Sequence, residues 1–300
     1  MRKSFIHTLV LLALLVVCAS CVTQPATETH NAVVQTPQRI VSISPSVTEI
    51  LYGVGAWPQV VAVSQFCNYP EDVNNKPRVN GWEKTNLEQL TALKPDLVIG
   101  VKAQAPFLEE KLTQLGIRSL FVESNTLADV FKAIEVVGRT SGHEHQAAEL
   151  LTKTRSEIET VRKAVTDRQR LKVLCVVDRV PGTIRELYTA ARGSYLDELI
   201  TIAGGESIAP AAEHGWGKIT KEAAVSLNPE VIIDMIQSSK GNFGEDPVAV
   251  WQELSDVRAV QNKRIYPIRD DFAIHPSQFV GHTARVFARV IHPEAFPDGP

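Results

Sequence analysis

Short apolar runs alternate with amphipathic stretches from residue 39 onwards, and this alternation predicts a succession of strands and helices. In the first half, the β-branched runs typical of buried strands are R-I-V-S-I-S (39–44), Q-V-V-A-V-S (59–64), D-L-V-I-G-V (96–101) and R-S-L-F-V-E (118–123). The helical stretches between them span 47–53, about 85–94, 106–114 and 127–138. The second half has strands at 171–177, 231–235 and 264–268 and helices at 194–203 and 278–291. The pattern favours an α/β fold with mostly parallel sheets.

Three Ser/Thr and Glu pairs have the spacing of a capping box and predict where helices begin. They are Ser46 with Glu49, Thr85 with Glu88, and Ser141 with Glu144. The third pair opens an amphipathic stretch of about 24 residues, roughly 35 Å at 1.5 Å per residue. Such a helix can bridge two lobes. We therefore divide the folded part into a lobe over 39–140, a linking helix over 141–168 and a lobe over 169–300.

One stretch occurs twice. Residues 81–99 and 215–233 align without a gap at an offset of 134, which is a domain-sized spacing. The identical pairs are Gly81/Gly215, Trp82/Trp216, Lys84/Lys218, Glu88/Glu222, Leu93/Leu227, Pro95/Pro229 and Ile99/Ile233. The duplication predicts one supersecondary unit used twice, as a loop, a short helix and a buried strand in each of two similar Rossmann-like lobes.

The two matched tryptophans are candidates for a binding site. Trp82 and Trp216 each follow a glycine on a predicted loop, where an uncovered indole ring would leave apolar area in water. Ligands of open α/β sheets bind at the carboxyl ends of the strands. The two rings are therefore expected on opposite walls of one cleft, unless each packs against its own lobe.

The two matched glutamates have two interpretations. Glu88 and Glu222 fall in the first turn of their helices, where a carboxylate favours the positive end of the helix dipole. They either cap the helices only, or present one acidic group per lobe to basic groups of a partner.

The N-terminus reads as an export signal. Arg2 and Lys3 precede a short apolar core, and residues 1–20 are predicted to be a signal peptide. Cys21 then stands where bacterial lipoproteins are acylated, although Cys18 occupies a position that usually carries leucine. Residues 21–38 are expected to be a flexible tether between this cysteine and the folded part. Together, the signal peptide and Cys21 predict a protein that is exported and anchored to a membrane by lipid. The alternative is ordinary cleavage and a soluble exported protein.

Composition excludes several classes. The net charge is −3, so nothing indicates nucleic-acid binding. The chain lacks a nucleophile elbow, a zincin helix and a phosphate-binding loop, and is not expected to be an enzyme. His143, His145, His214 and His275 make a weak case for a metal site. Cys67 and Cys175 could form a disulfide, but Cys175 more simply reads as a buried strand thiol.

The motif N-L-E-x-x-x-x-L-K-P-D-L-V-I, residues 86–99, resembles that of class III periplasmic substrate-binding proteins of ABC importers, and over 39–292 the chain is similar to their vitamin B12-binding members. The resemblance implies two α/β lobes joined by a rigid helix, a ligand clamped between them, no catalysis and no resident cofactor. It also implies that Glu88 and Glu222 dock onto the permease dimer.

Carried over residue by residue, the resemblance implies a ligand site of aromatic and acidic side chains. Its members are Phe66, Trp82, Tyr188, Trp216, and Asp270 or Asp271. Val101 stands where vitamin B12 binders carry a further tryptophan. The expected ligand is cobalamin or a related corrinoid.

Other readings stay open. Haem would need an axial ligand, with Tyr69, Tyr188, His214 and His275 as candidates. A ferric siderophore would need cleft arginines such as Arg179 or Arg192. From different classes, a sensory binding module without a transporter and a metal-cluster enzyme with similar lobes remain alternatives, although no cysteine set has cluster spacing.

Overall fold

The computed structural model describes residues 35–82, 84–235 and 246–296. Thr36–Pro300 forms one compact unit. The predicted signal peptide, the lipidation site Cys21 and most of the tether lie outside the described residues. Within the described ranges, no helix combines the length and apolar character needed to cross a membrane.

The first lobe is a five-stranded parallel sheet flanked by helices. Its strands are β1 (Ile40–Ser42), β2 (Val60–Ser64), β3 (Arg78–Val79), β4 (Leu97–Val101) and β5 (Ser119–Val122). Its helices are α1 (Pro45–Gly53), α2 (Leu87–Ala92), α3 (Ala105–Gln114) and α4 (Leu127–Ser141). The spatial order is β3-β2-β1-β4-β5, and every pair runs parallel. The order reverses between β1 and β4, which is the position where such sheets bind ligands.

The second lobe is a six-stranded mixed sheet. Its strands are β6 (Leu171–Asp178), β7 (Leu187–Ala190), β8 (Gly205–Ser207), β9 (Trp216–Ile219), β10 (Val231–Asp234) and β11 (Ile265–Pro267). Its helices are α6 (Tyr195–Ile202), α7 (Lys221–Leu227), α8 (Arg258–Gln261) and α9 (Val280–Ile291), with α5 (Glu144–Ala164) between the lobes. The spatial order is β11-β10-β6-β7-β9, with β8 beside β6. The predicted α/β class with two lobes and mostly parallel sheets is confirmed.

Strands β7 and β9 run antiparallel to each other, and neither is among the strands that the sequence pattern predicts. Each has four residues, and β9 contains Gly217, so neither shows the β-branched run that marks the buried strands. Pairing with each other and with β6 supplies the backbone hydrogen bonds that their own composition does not suggest.

Helix α5 packs between the two lobes, with close contacts on both sides. A Cβ at position 138 of α4 would lie 2.2 Å from the Cβ of Ala147 in α5. On the other side, a Cβ at position 281 of α9 would lie 2.5 Å from Glu157 Oε2 of α5. Only Gly138 and Gly281 permit these approaches.

The close packing explains why α4 does not end at Gly138, as the sequence pattern predicts. The helix continues to Ser141, and Gly142, with φ of 81°, provides its left-handed end. Gly138 therefore lies inside the helix, where its lack of a side chain permits the close packing of α5, and Gly142 ends the helix.

The three predicted capping boxes are wrong, because each helix begins one or two residues away from the predicted Ser or Thr. The actual N-cap residues are Ser44, Asn86 and His143. In α1, Pro45 at the first helical position fixes a helical φ and starts the helix early. Glu49, the predicted capping partner of Ser46, is buried inside the protein.

The two repeat copies fold alike from the N-cap onwards. Asn86 and Thr220 cap α2 and α7 through their side chains, and β4 and β10 follow at the same offset. The copies differ before that point, because Trp82 lies in a bend whereas Trp216 is the first residue of β9.

The two lobes touch directly beside the linking helix. The backbone N–H of Tyr195 donates to Asn125 O at 2.7 Å, and the N–H of Leu127 donates to Glu198 Oε1 at 2.9 Å. A single cluster of buried apolar side chains continues from β1 and α4 of the first lobe to α6 and α9 of the second. Because the burial is shared, we expect the lobes to be held together by apolar packing as well as by these hydrogen bonds.

Candidate ligand-binding cleft

A cavity of about 630 Å³ lies between the lobes, at the carboxyl edge of the first sheet. The first lobe lines it with Ser44, Pro45, Ser46, Val101, Lys102, Ala103, Glu123, Ser124 and Asn125. The second lobe lines it with Tyr188, Tyr195, Glu213, His214, Trp216, Ile274, His275 and Pro276. The volume falls in the range of small-molecule sites, roughly 300–1,000 Å³.

The first-lobe wall is built by the chain leaving β1, β4 and β5. These strands are neighbours and parallel, so their carboxyl ends meet at one edge, and the reversal of strand order opens a crevice there. Val101 ends β4 in this wall. The small residues Ser44, Ser46 and Ala103 leave space on this side, and bulk is supplied from the second lobe.

The second-lobe wall carries a stacked aromatic pair. The rings of Tyr188 and Trp216 are 6.4 Å apart between centroids and 11° from parallel. The strand register explains the stack: Tyr188 of β7 stands opposite Lys218 of β9, and Trp216 is two residues before Lys218 on the same face. The pair presents flat apolar area to the cavity.

Tyr195 packs against the Trp216 ring of this stack. Its ring meets Trp216 edge to face at 5.9 Å, and its side chain is buried at the start of α6. Burial raises the pKa of Tyr195 well above its usual value, and Cys175 and Glu49 add to that effect. No described residue hydrogen-bonds the Tyr195 hydroxyl.

A buried carboxylate and a histidine meet at the base of the cleft. Glu49 of α1 is 1% exposed, and its Oε1 is 2.5 Å from Nδ1 of His275. Ser277 Oγ donates to Oε2 of the same carboxylate at 2.5 Å. His275 itself lines the cavity, so the second lobe's loop is fastened to the first lobe at the ligand site.

The remaining polar side chains of the cavity lining include both positive and negative charges. Glu123, Glu213 and Lys102 are exposed at the cavity, and Asn125 offers an amide. His214 has a left-handed backbone, with φ of 55°, and its Nε2 is 3.4 Å from Glu213 Oε1. Such a lining is suited to a ligand that carries several uncharged polar groups, because no single charge dominates.

Two of the predicted aromatic ligand contacts lie in the cavity and two do not. Tyr188 and Trp216 are in the lining, whereas Phe66 and Trp82 are exposed and outside it. Both nevertheless follow strands of the same sheet: Phe66 comes after β2, beside β1, and Trp82 after β3. Neighbouring strands of a sheet are about 4.8 Å apart. Phe66 and Trp82 therefore follow strands one and two positions beyond β1 along the same edge of the sheet.

The two aspartates of the predicted site are engaged elsewhere. Asp270 accepts from His282 Nε2 at 2.6 Å, beside a second cavity of about 360 Å³ next to α5. Asn68 donates to Asp271, which joins the two lobes. Burial raises the pKa of Asp271 and Asp270 raises it further, while His275 and Asn68 oppose the change. Neither aspartate lines the larger cavity.

Several candidates for the rival ligands are also committed to other contacts. Tyr69 packs edge to face against Tyr52 at 5.2 Å and Phe279 at 5.3 Å, outside the larger cavity. Arg179 is buried against Asp234, and Arg192 is exposed outside the cavity. The arginines named for an anionic siderophore therefore do not face this cleft.

Glu88 and Glu222 are exposed and equivalent in position. Each is the second residue of its helix, directly after the residue that follows the N-cap. Hydrogen bonds from its own backbone N–H and from Thr220 lower the pKa of Glu222. The capping acceptors are Asn86 and Thr220, so capping does not require Glu88.

The two described cysteines are free and buried. Burial raises the pKa of Cys67 to about 11, and its Sγ is 3.1 Å from Thr48 Oγ1. Burial also raises the pKa of Cys175, which lies in β6. Among the described residues, no group of three or more metal-binding side chains could hold an ion.

The sequence pattern misses Tyr195 and Glu49. In the sequence pattern Tyr195 falls in the first turn of a helix predicted over 194–203, and Glu49 is a capping partner. One signal could have indicated Glu49: it lies in the largely apolar stretch V-T-E-I-L, where a carboxylate must find a partner once buried. The partners lie 226 and 228 positions away, beyond the range of any local pattern.

Two lobes, a linking helix and a cleft at the strand ends define the class of bilobal substrate-binding proteins. The Periplasmic binding protein family matches residues 40–272, and the chain belongs to that family. It functions as a substrate-binding protein of the ABC-transporter type.

The chain is similar to the uncharacterized ABC transporter substrate-binding lipoprotein YvrC of Bacillus subtilis, at 27% identity over 269 residues, covering 87% of this chain and 82% of that protein. It is 26% identical over 242 residues to the vitamin B12-binding protein of Vibrio campbellii, covering 80% of this chain and 84% of that one. The periplasmic heme-binding protein RhuT from Roseiflexus sp. RS-1 has the same fold, with a TM-score of 0.74 at 23% identity, covering 86% and 99% of the two chains.

Proposed function

We propose that this protein captures cobalamin or a related corrinoid between its lobes and delivers it to an ABC permease. The observation that carries the proposal is the stacked pair of Tyr188 and Trp216 in the cleft wall. A corrin is a large, flat, partly apolar macrocycle that gains from lying against such a surface. Its peripheral amides can exchange hydrogen bonds with Ser46, Asn125 and the backbone of the first lobe.

The exposed rings of Phe66 and Trp82 support a large ligand. The cavity lies at the ends of β1, β4 and β5, and these two rings follow β2 and β3 on the same edge. A macrocycle with a long appendage would occupy the cavity and extend over them. Asp270 and Asp271 are not part of the proposed contact surface, because their carboxylates are engaged with His282 and Asn68.

A titration of purified protein with cyanocobalamin tests the proposal. Tryptophan fluorescence should fall on binding, and equilibrium dialysis of the coloured ligand should give the same dissociation constant. Trp216→Ala should weaken the dialysis constant, whereas Trp57→Phe is a matched control, because Trp57 bonds Asp72 outside the cavity. Absence of binding at micromolar cyanocobalamin by both methods contradicts the proposal.

Haem is the second candidate, because the cavity holds two histidines that could ligate iron. A Soret shift on adding hemin, together with no cobalamin binding, would favour it. The permease-facing role of Glu88 and Glu222 and the acylation of Cys21 belong to the same proposal. Mass spectrometry of the N-terminal peptide from the membrane fraction tests the acylation, and an unmodified mature N-terminus beyond Cys21 would exclude it.

A further inference from the structure

A second cavity, of about 360 Å³, lies beside the linking helix α5. Helix α5 lines it with Leu150, Lys153, Thr154 and Glu157, and the second lobe lines it with Asp270, Phe272, Gln278, Phe279 and His282. None of these residues lines the larger cavity between the lobes. The volume is near the lower limit for small-molecule sites, roughly 300 Å³, so the space suits a ligand much smaller than a macrocycle.

The apolar wall of this second cavity is a pair of packed rings. The centroids of Phe272 and Phe279 are 4.2 Å apart. Tyr69 of the first lobe meets both rings edge to face, at 5.2 Å and 5.3 Å. These contacts hold the two rings in place without a ligand. The faces of aromatic rings attract apolar groups and also cations.

Two oxygen acceptors of the lining have no donor. Gln278 is 8% exposed, and its Nε2 donates to Glu49 O at 2.8 Å. Oε1 of the same amide faces away from Glu49 and is buried without a hydrogen bond from the described residues. The carboxylate of Glu157 is partly buried and has no partner in the described part of the chain. A buried acceptor without a donor costs free energy, which a donor on a ligand would recover.

These two acceptors belong to adjacent parts of the lining. Thr154 Oγ1 of α5 donates to Gln278 O at 3.4 Å. One turn further along α5, Glu157 Oε2 lies over Gly281, 2.5 Å from the place where a Cβ would stand. The absence of a side chain at position 281 leaves room for the carboxylate but supplies no donor to it.

The charge that remains for a ligand inside this cavity is negative. Lys153 stands one turn before Glu157 on α5, a spacing at which opposite charges can pair. These two described residues nevertheless form no ion pair, and Lys153 is exposed. Asp270 already accepts from His282 Nε2 at 2.6 Å and from the N–H of Phe272 at 3.1 Å. Glu157 is therefore the carboxylate that is available to a cation.

We propose that this second cavity binds a small ammonium compound with an apolar body. The ammonium group donates hydrogen bonds to the Glu157 carboxylate and to Gln278 Oε1, and the apolar body lies against Phe272 and Phe279. An ammonium group has three donors and no acceptor, which matches two acceptors that lack donors. The site is separate from the cargo cleft and does not depend on the identity of the cargo.

One short segment connects this site to the cleft. Asp270 and Phe272 line the second cavity, whereas Ile274 and His275, two and three residues after Phe272, line the larger one. A ligand that holds Phe272 would restrict the segment that forms part of the cleft wall. Cargo that binds afterwards would then lose less conformational freedom and bind more tightly. This consequence alone rests on the proposed function.

Three probes with the same butyl chain test the site: butylammonium, 1-butanol and pentanoate. Saturation-transfer difference NMR on the full-length protein without cobalamin measures the binding of each. Butylammonium should bind about tenfold more tightly than 1-butanol, as expected for a hydrogen bond to a charged group, and pentanoate should not bind. With butylammonium at saturation, cyanocobalamin should bind at least twofold more tightly to the wild-type protein.

The central variant is Glu157→Gln, which keeps the size of the side chain and removes its charge. It should bind butylammonium about tenfold more weakly and should lose the effect of butylammonium on cyanocobalamin. Lys153→Gln removes a nearby positive charge and should bind butylammonium at least as tightly as wild type. The matched control is Glu159→Gln, because Glu159 pairs with Arg162 at 3.4 Å on α5, outside the cavity, and should bind as wild type does.

The outcomes separate this site from the cargo cleft. If butylammonium and 1-butanol bind equally, or if Glu157→Gln and Glu159→Gln lose the same affinity, the amine is held only by unspecific attraction and the site is overturned. If butylammonium binds as expected but leaves cyanocobalamin affinity unchanged, the coupling to the cleft is overturned and the site stands. If cyanocobalamin does not bind at all, the proposed cargo is overturned, and the NMR titrations still decide on the second site.

Discussion

Arg179 and Asp234 form a buried ion pair in the second lobe, with 2.9 Å between Nε and Oδ2 and side-chain exposures of 5% and 2%. Trp251 Nε1 donates to the same oxygen at 2.8 Å. Removing one member of a buried pair leaves the other charge without compensation. Arg179→Ala should therefore lower the free energy of unfolding by about 3–5 kcal/mol, measured by urea denaturation. Lys218→Ala is the control, because its pair with Glu186 is exposed and its loss should leave the urea midpoint unchanged.

The stack of Tyr188 on Trp216 predicts a difference between two substitutions. Tyr188→Phe keeps the ring and should bind cyanocobalamin within twofold of wild type. Tyr188→Ala removes an aromatic contact of about 0.5–1.5 kcal/mol, so its affinity should fall roughly two- to twelvefold by equilibrium dialysis. Equal losses in both variants would indicate that the hydroxyl, and not the ring, makes the contact.

A substitution of Trp82 tests whether the ligand extends beyond the cavity lined by Tyr188 and Trp216. If cargo lies along the sheet edge, Trp82→Ala should weaken cyanocobalamin binding by roughly two- to twelvefold, as expected for loss of one aromatic contact. Thermal unfolding should shift only modestly, because Trp82 is 39% exposed and its ring packs edge to face against Phe107 at 6.1 Å. Unaltered affinity in Trp82→Ala would confine the ligand to the cavity lined by Tyr188 and Trp216.

The matched glutamates predict a defect in delivery without a defect in capture. Glu88→Ala with Glu222→Ala should reduce cobalamin uptake by cells tenfold or more, because each lobe loses an exposed acidic group for a basic partner. Ligand affinity of the purified variant should stay within twofold. The charge-matched control is Glu109→Ala with Glu206→Ala, two exposed glutamates elsewhere on the two lobes. Normal uptake in the first variant would refute the docking role.

Cys67 predicts a loss of stability in alkali. Burial raises its pKa from 9.0 to about 11, so the folded state holds the thiol proton more tightly than the unfolded state. The resulting stability is fully present below pH 9 and is lost as the pH rises toward 11, about 2–3 kcal/mol in all. Urea midpoints over this range should fall more steeply for wild type than for Cys67→Ser, which keeps a polar neighbour for Thr48 but does not titrate. Parallel slopes would contradict the assignment.

The sequence predicts those parts of the fold that depend on local patterns. The β-branched strands β1, β2, β4, β6 and β10 are marked by composition, and the repeat at an offset of 134 by itself indicates two lobes. Strands β7 and β9 cannot be predicted in this way, because they pair with residues 26 (Ala190 with Trp216) to 32 (Leu187 with Ile219) positions apart and lack a β-branched run of their own.

In the candidate site, too, residue types could be predicted from the sequence but their long-range contacts could not. Trp216 and Tyr188 could be predicted as candidates for ligand contact, and both line the cavity, but their mutual stacking depends on strand register, which no pattern specifies here. Asp270 and Asp271 illustrate the converse, because a position carried over from a family does not reveal that His282 and Asn68 engage these carboxylates. Glu49 and His275 are 226 positions apart, so only the tertiary fold brings them together.

Gly138 and Gly281 leave α5 no room to roll against either lobe, since a single added methyl group on either side would collide with it. Opening the cleft by bending this helix would have to separate both glycine contacts at once. We expect the empty and loaded forms to differ chiefly in the loops at the edge of the cleft. A permease that recognises this protein would then detect bound ligand through the conformation of those loops, and not through a change in the distance between Glu88 and Glu222.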